Sequence, residues 1–208
     1  MATMEQDAGG PLAVNIKALT MELLTSNDNR GVVGITRAYN EGAGAKWSCL
    51  CCPLSEDPDG KGVLKYMEEN PSRLPTWGVA FDDGGEVLGF VAMTIHPQQP
   101  MVGLHSTEPG EAYIDELMVS SFARGRGVGT KLLEWAEAMA RERKCTHLSL
   151  EVLNGNPAMR LYERFGLKVK PAGLCYRLCF DPLFICCYGS LHYGCSHWGS
   201  VLMVKSLD

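Results

Sequence analysis

The stretch Arg124-Gly125-Arg126-Gly127-Val128-Gly129-Thr130 constrains this chain most. It joins two patterns of different period. Before it, Tyr113-Ile114-Asp115-Glu116-Leu117-Met118-Val119 falls in an expected strand over residues 112–119. After it, Val128, Leu132, Trp135, Ala136, Met139 and Ala140 recur three or four apart, with Lys131, Glu134, Glu137 and Arg141 largely off that stripe, as in an amphipathic helix. Three alternating glycines clear side chains from places where a ligand can approach the backbone. The helix start adds N–H groups without intrahelical partners and the positive end of the helix dipole. Arg124 and Arg126 add charge, and a pyrophosphate fits such a loop.

Two common phosphate loops do not match. A P-loop needs Gly-Lys-Ser/Thr, but here Thr130 precedes Lys131. A dinucleotide fingerprint needs G-x-G-x-x-G with an acidic residue further on; this is G-x-G-x-G without that partner. A glycine-rich turn that merely caps a helix is the plain structural alternative.

Around this centre the patterns alternate. Residues 15–24 suit a first strand, residues 27–39 a helix weakened by Gly31 and Gly34, and residues 41–60 a loop. A short helix is expected over 62–69, stopped before Pro71. Strands are expected over 76–81 and 86–95, joined by Asp82-Asp83-Gly84-Gly85, a strong hairpin turn. Residues 97–110 form a polar loop. Residues 146–152 read as a strand with Leu148, Leu150 and Val152 on one face and His147, Ser149 and Glu151 on the other. Asn156-Pro157 starts a second helix, ending near Phe165-Gly166. Strand-like stretches follow at 175–180 and 200–204. Strands interleaved with helices in this order predict a mixed sheet with helices on its faces.

Composition narrows the function. The net charge of −5 gives no broad basic face for nucleic acid, and mildly favours a cationic partner. The most apolar stretch, residues 174–188, is broken by Arg177, Asp181 and Pro182, so no membrane span is expected. Residues 1–11 carry Glu5 and Asp7 and no apolar run; we expect a flexible leader, not a secretory signal, and a cytoplasmic protein. Nine cysteines, an odd number, argue against a disulfide scaffold. His192, Cys195 and His197, with Cys186 and Cys187, match no closed four-ligand zinc site, and no metal is expected.

Residues 113–168 resemble the core of the GNAT acyl-CoA N-acyltransferase superfamily. The resemblance rests on YIDELMV, ARGRGVGTKLLEWAEAMARE, HLSLEV and GNPAMRLYERFGL, in that order and at that spacing. It implies an α/β fold (an α+β mixed sheet) in one domain over residues 12–208, its central sheet splayed and flanked by helices. It implies acetyl-CoA as co-substrate. Two parallel strands, at 112–119 and 147–152, would part to admit the pantetheine arm. Leu117, Met118 and Val119 would offer it backbone groups. Arg124, Gly125, Arg126, Gly127, Val128, Gly129 and Thr130 would hold the pyrophosphate, and Asn156 would touch the pantetheine region. The spacing from Asn156 to Ala158 is one residue shorter than in many members.

An amine attacks a thioester only when neutral, so the reaction needs a proton acceptor, and the departing thiolate needs a donor. A tyrosine, with a pKa of about 10, is matched to a thiol. The resemblance places Tyr162 in that role; its competitor is a core tyrosine on the face of Ala158, Leu161 and Phe165. Glu116 and Glu151 are equal candidates for the base, with Asp115 behind. Strand alternation puts Asp115 and Glu116 on opposite faces unless a bulge intervenes. The Met118 or Val119 N–H would stabilise the tetrahedral intermediate. The resemblance implies that the tail helps form the acceptor pocket, where Tyr188, His192, Tyr193 and Trp198 would make a wall suited to a cation or an aromatic amine; plain core packing is the equal alternative.

The resemblance implies an N-acetyltransferase, a monomer or homodimer, and the acceptor expected is a small-molecule amine (a polyamine, an arylalkylamine or an amino acid). A protein N-terminal or lysine acetyltransferase is the alternative within the same chemistry. A non-catalytic acyl-CoA sensing module and a zinc-organised interaction protein are alternatives from other classes.

Overall fold

Thr20 sets the first reversal of the chain. Its Oγ1 accepts the Leu23 N–H at 3.1 Å and its carbonyl accepts the Leu24 N–H at 3.1 Å, which caps a helix start. The strand expected over 15–24 therefore stops at Asn15–Ala18 (β1), and a helix runs Met21–Lys46 (α1). The computed structural model describes residues 13–46, 60–100, 105–153, 155–171 and 200–207. Within them α1 is longer at both ends than the helix expected over 27–39. Gly34 and Gly42 do not break it, because they face the sheet, whereas a Cβ on Gly31 would meet the Leu23 carbonyl. A Cβ on Gly34 would lie 2.5 Å from the Val87 Cβ, and one on Gly42 would lie 2.2 Å from the Met118 sulfur.

The following elements are Lys61–Glu69 (α2), a 3-10 helix at Pro71–Thr76, Trp77–Phe81 (β2), Val87–Ile95 (β3) and Glu111–Val119 (β4). Then come Val128–Glu142 (α3), His147–Leu153 (β5), Met159–Phe165 (α4), Lys168–Val169 (β6) and Ser200–Ser206 (β7). The β2–β3 turn closes as its composition predicts: the Gly85 N–H reaches the Asp82 carbonyl at 3.1 Å with Gly85 at a φ of 80°. The second late helix starts at Met159, after a turn through Asn156 and Pro157, whose Asn156 Oδ1 accepts the Ala158 N–H at 2.9 Å. β6 is a two-residue strand with no periodic signal of its own, and it forms because β7 offers an edge. The expected strand at 175–180 lies outside the described residues.

Among the described residues seven strands form one sheet in the order β1-β2-β3-β4-β5-β7-β6. β4 and β5 are parallel, and the other neighbours are antiparallel. Two apolar layers cover its faces. Ala112, Ile114, Leu148, Leu150 and Met203 pack with Val128, Leu132, Leu133, Ala136 and Tyr162 of α3 and α4. Phe90, Ala92, Val79 and Met118 pack with Val32, Ile35 and Ala38 of α1 and Met67 of α2. Among the described residues no helix is long and apolar enough to cross a membrane.

Candidate active site

A β-bulge in β4 decides where the site's carboxylates point. Ala92 faces Glu116 and Met93 faces Ile114, so Asp115 is an extra residue with no opposite number on β3. The bulge shifts the alternation by one. Ala112 and Ile114 before it, and Leu117 and Val119 after it, belong to the layer under α3 and α4. Glu116 is opposite Ala92 and so lies on the other face, the one under α1 and α2. Asp115 lies there too, since its Oδ2 accepts from Thr94 Oγ1 at 2.6 Å, two residues beyond Ala92. Two adjacent carboxylates thus share one face, which regular alternation forbids.

The sheet is split beside them. β4 and β5 are paired only from Glu111↔His147 to Ile114↔Leu150. Beyond that, β4 continues with β3 alone to Val119, and β5 continues with β7 to Leu153. The Ser120 N–H donates to the Leu88 carbonyl at 2.9 Å. Counting back by two, Met118 turns its N–H and carbonyl to β3, while Leu117 and Val119 turn theirs to the split. This corrects the expectation for Met118, whose backbone belongs to the β3 ladder and whose side chain is buried under α1. Arg124 Nε donates to the Val119 carbonyl at 3.1 Å, which leaves the Val119 N–H directed at the split.

The split runs to the N-terminus of α3. Gly125 and Gly127 adopt φ of 75° and 82°, a left-handed backbone that glycine takes at little cost. A Cβ at either would have no heavy atom within 4 Å, so both sit against open space. Gly127 caps α3 without a side-chain bond, and the first helical bond is from the Lys131 N–H to its carbonyl at 3.1 Å. The Val128, Gly129 and Thr130 N–H groups therefore sit at a bare helix end. Gly129 has a second use: its Cβ would lie 3.0 Å from Leu161 Cδ2, so it lets α4 pack against α3. A slot lined by peptide groups and ended by a helix N-terminus suits a narrow extended chain with an anionic end.

Tyr162 stands on the α3–α4 side of the sheet, 7% exposed, in the apolar layer that also holds Leu117 and Val119. Glu151 of β5 stands on the other side, since Leu148, Leu150 and Val152 take the α3 face. Tyr162 is therefore separated from Asp115, Glu116 and Glu151 by the split sheet itself. Asn156 precedes α4 with its amide oxygen committed to the Ala158 N–H. Tyr188, His192, Tyr193 and Trp198 lie outside the described residues.

The α1–α2 face holds groups that sequence patterns do not single out. Thr94 Oγ1, which donates to Asp115, accepts from Arg73 Nη1 at 2.8 Å. Burial, and then the Glu116 charge, push the Tyr39 phenol above its ordinary value. Burial raises Tyr66 as well, with Arg73 opposing and Asp115 adding. Tyr113 is raised most, by burial and then by Glu151 and Asp115. All three phenols stay protonated at neutral pH. Glu111 is 2% exposed. Its Oε1 accepts from Ser149 Oγ and from His105 Nε2, the latter at 2.8 Å, and its Oε2 accepts the Glu108 N–H at 2.7 Å. Burial raises the Glu111 pKa, but these donors outweigh it and hold the carboxyl at about 2. The same bond raises His105 against its own burial, and the His105 ring stacks on Tyr113 with centroids 4.7 Å apart. Strand alternation places Ser149 beside Glu151, but His105 lies in a polar loop without period, where no local signal marks it.

Known proteins align with this arrangement. A model of the Acetyltransferase (GNAT) family matches residues 44–167. Streptothricin acetyltransferase of Streptomyces lavendulae is 35% identical over 89 residues, 42% of this chain and 42% of that protein, so the chain spans less than half of that relative. Spermine/spermidine N(1)-acetyltransferase of Bacillus subtilis (strain 168) is 27% identical over 160 residues, 76% of this chain and 89% of that protein. The crystal structure of PaiA N-acetyltransferase from Thermoplasma acidophilum, solved in complex with coenzyme A, has the same fold. It superposes with a TM-score of 0.56 at 16% identity, over 94% of this chain and 99% of that one.

Proposed function

The chain belongs to the GNAT acetyltransferase family, and from that premise we propose that it moves an acetyl group from acetyl-CoA to the primary amine of a small cationic molecule, by direct attack in a ternary complex. Acetyl-CoA supplies a thioester whose carbonyl carbon takes the amine and whose sulfur departs. The residues present fit it. Leu117 and Val119 direct peptide groups into the split, and Gly125 and Gly127 leave the loop open before the bare end of α3. The observation that carries the reading is the pairing of that slot with the bulge. One face of the split offers Tyr162, and the other offers Asp115, Glu116 and Glu151.

In this reading Leu117 and Val119 hold the pantetheine arm. Arg124 to Thr130 hold the pyrophosphate, and Asn156 stands at the mouth of the slot. The Val119 N–H stabilises the negative charge that develops on the carbonyl oxygen. Tyr162 gives its proton to the sulfur. Glu116 or Glu151 faces the amine as a candidate proton acceptor, and Asp115, fixed by Thr94, attracts the acceptor's positive charge. Three carboxylates faced by Tyr39, Tyr66 and Tyr113 suit a cation with apolar spacing between its charges. The named relatives that act on streptothricin and on spermine support an amine acceptor.

A thiol-release assay with acetyl-CoA tests this against spermidine, an arylalkylamine, amino acids and peptides with free N-termini or lysines. Turnover is expected with a small cationic amine, and Tyr162→Phe is expected to lower kcat by about 10²- to 10⁴-fold. Turnover with peptides alone would move the acceptor to protein. Acetyl-CoA binding without any turnover would make the chain a sensing module.

A further inference from the structure

We propose that His105, held by Glu111, which Ser149 anchors in turn, is the proton acceptor of this site. The inference rests on the acetyl-transfer reading above and names a base outside the two glutamates considered so far.

The geometry is that of a carboxylate–imidazole pair. Glu111 has both oxygens engaged, by Ser149 and His105 on Oε1 and by the Glu108 N–H on Oε2. A carboxylate held so firmly fixes the His105 ring, and accepting from Nε2 sets the tautomer that carries its proton there. Neutral His105 then presents the lone pair of Nδ1. That atom has no hydrogen-bond partner among the described residues. The His105 side chain is 13% exposed, so it is sheltered and still reachable. It stacks on Tyr113, which lies on the same sheet face as Asp115, Glu116 and Glu151.

The rival acceptors on this face are Glu116 and Glu151, which imidazole exceeds in basicity. Tyr39, Tyr66 and Tyr113 remain protonated, and Glu111 is too firmly paired to take a proton near neutrality. Asp115 is occupied by Thr94. An ammonium holds its proton to about pH 10, and an imidazole is closer to it in basicity than a carboxylate of about 4. The charged and titratable groups facing His105 are Glu111 on β4, Glu108 in the preceding loop, Glu151 on β5 and the Tyr113 phenol; the three carboxylates all favour the imidazolium that forms.

The step balances as follows. The acceptor enters as an ammonium and gives one proton to His105 Nδ1. Its neutral nitrogen forms the C–N bond as the C–S bond breaks. The sulfur gains a proton from Tyr162, and the second proton of the nitrogen passes through solvent to restore the Tyr162 phenol. His105 then releases its proton to water.

The experiment compares wild type, His105→Gly and Glu111→Gln with a turned-over amine from the panel above. The wild type is expected to show a rising limb in kcat/KM whose midpoint lies above the ordinary imidazole value of 6.5. His105→Gly should lose that limb and about 10²- to 10³-fold in kcat/KM, and added imidazole should restore much of the loss. Glu111→Gln should move the limb back towards 6.5. The ring titration of His105, followed by NMR in the ligand-free wild type, should give the wild-type midpoint. His105→Gln replaces the glycine variant if that one does not fold. Kinetics within twofold of wild type at every pH, or a folded glycine variant that imidazole leaves unrescued, would overturn the assignment. A wild type that releases no thiol with any amine would instead overturn acetyl transfer, and this inference with it.

Discussion

At the scale of single residues, Glu111 and His105 make the molecule's stability depend on pH in two directions. Glu111 is held at about 2 against an ordinary 4.5, so its contribution is complete above about 4.5 and is lost as pH falls towards 2. His105 is raised above 6.5, so its contribution is complete below 6.5 and is lost as pH rises through the raised value. The pair therefore stabilises most between pH 4.5 and 6.5. Thermal melting across pH should show a midpoint that falls on both sides of that window. Each kcal/mol corresponds to about 2–4 °C in a chain of this size. His105→Gln should flatten the alkaline side and leave most of the acid side, because the Ser149 and Glu108 donors to Glu111 remain. A wild-type midpoint that does not move between pH 5 and 8 would count against the pair. None of this is legible in the local pattern, since His105 and Ser149 are far apart in the chain and meet on Glu111 only through the parallel pairing of β4 with β5.

At the scale of elements, α1 shows how a residue can mean opposite things to helix and to packing. Glycine in a helix costs about 1 kcal/mol relative to alanine, so Gly34→Ala gains that much by propensity alone. The added Cβ would lie 2.5 Å from the Val87 Cβ, an atom fixed to the β3 backbone. Overpacking of that kind costs about 1–3 kcal/mol, and we expect it to win by about 1 kcal/mol. Urea unfolding checks the sign; a stabilised variant would show that α1 can lift from the sheet freely. The same glycines explain why residues 27–39 read as a weak helix. Propensity counts Gly31 and Gly34 as breakers, whereas the sheet requires Gly34 and the Leu23 carbonyl crowds Gly31. The loop from Arg124 to Thr130 and α3 were legible because their chemistry is local: alternating glycines, then a stripe of period 3.6. The bulge at Asp115 was not, because it exists only against β3. The first strand was overextended because Thr20 caps α1, and a threonine in an alternating run does not announce that use.

At the scale of the whole molecule, the net charge of −5 and the carboxylates on the α1–α2 face predict electrostatic attraction of the acceptor. The screening length falls from about 30 Å at 0.01 M salt to about 3 Å at 1 M. The KM for a diamine should therefore rise several-fold over that range while kcat changes little, and the KM for an uncharged-tailed monoamine should rise less. Equal salt dependence for both would remove the acidic face from recognition. The sheet is the other property of the whole. Its seven described strands are held across the middle by the short pairing of β4 with β5, from Glu111↔His147 to Ile114↔Leu150. Beyond Ile114 the peptide groups of Leu117 and Val119 face a place where a neighbouring strand would ordinarily lie. A donor that threads this gap stands in for that strand, with an amide-bearing arm in place of a polypeptide. In the proposed reading the fold is completed by its own reactant: arrival of the donor would be a brief episode of sheet formation, departure its undoing, and each catalytic cycle would pass through both.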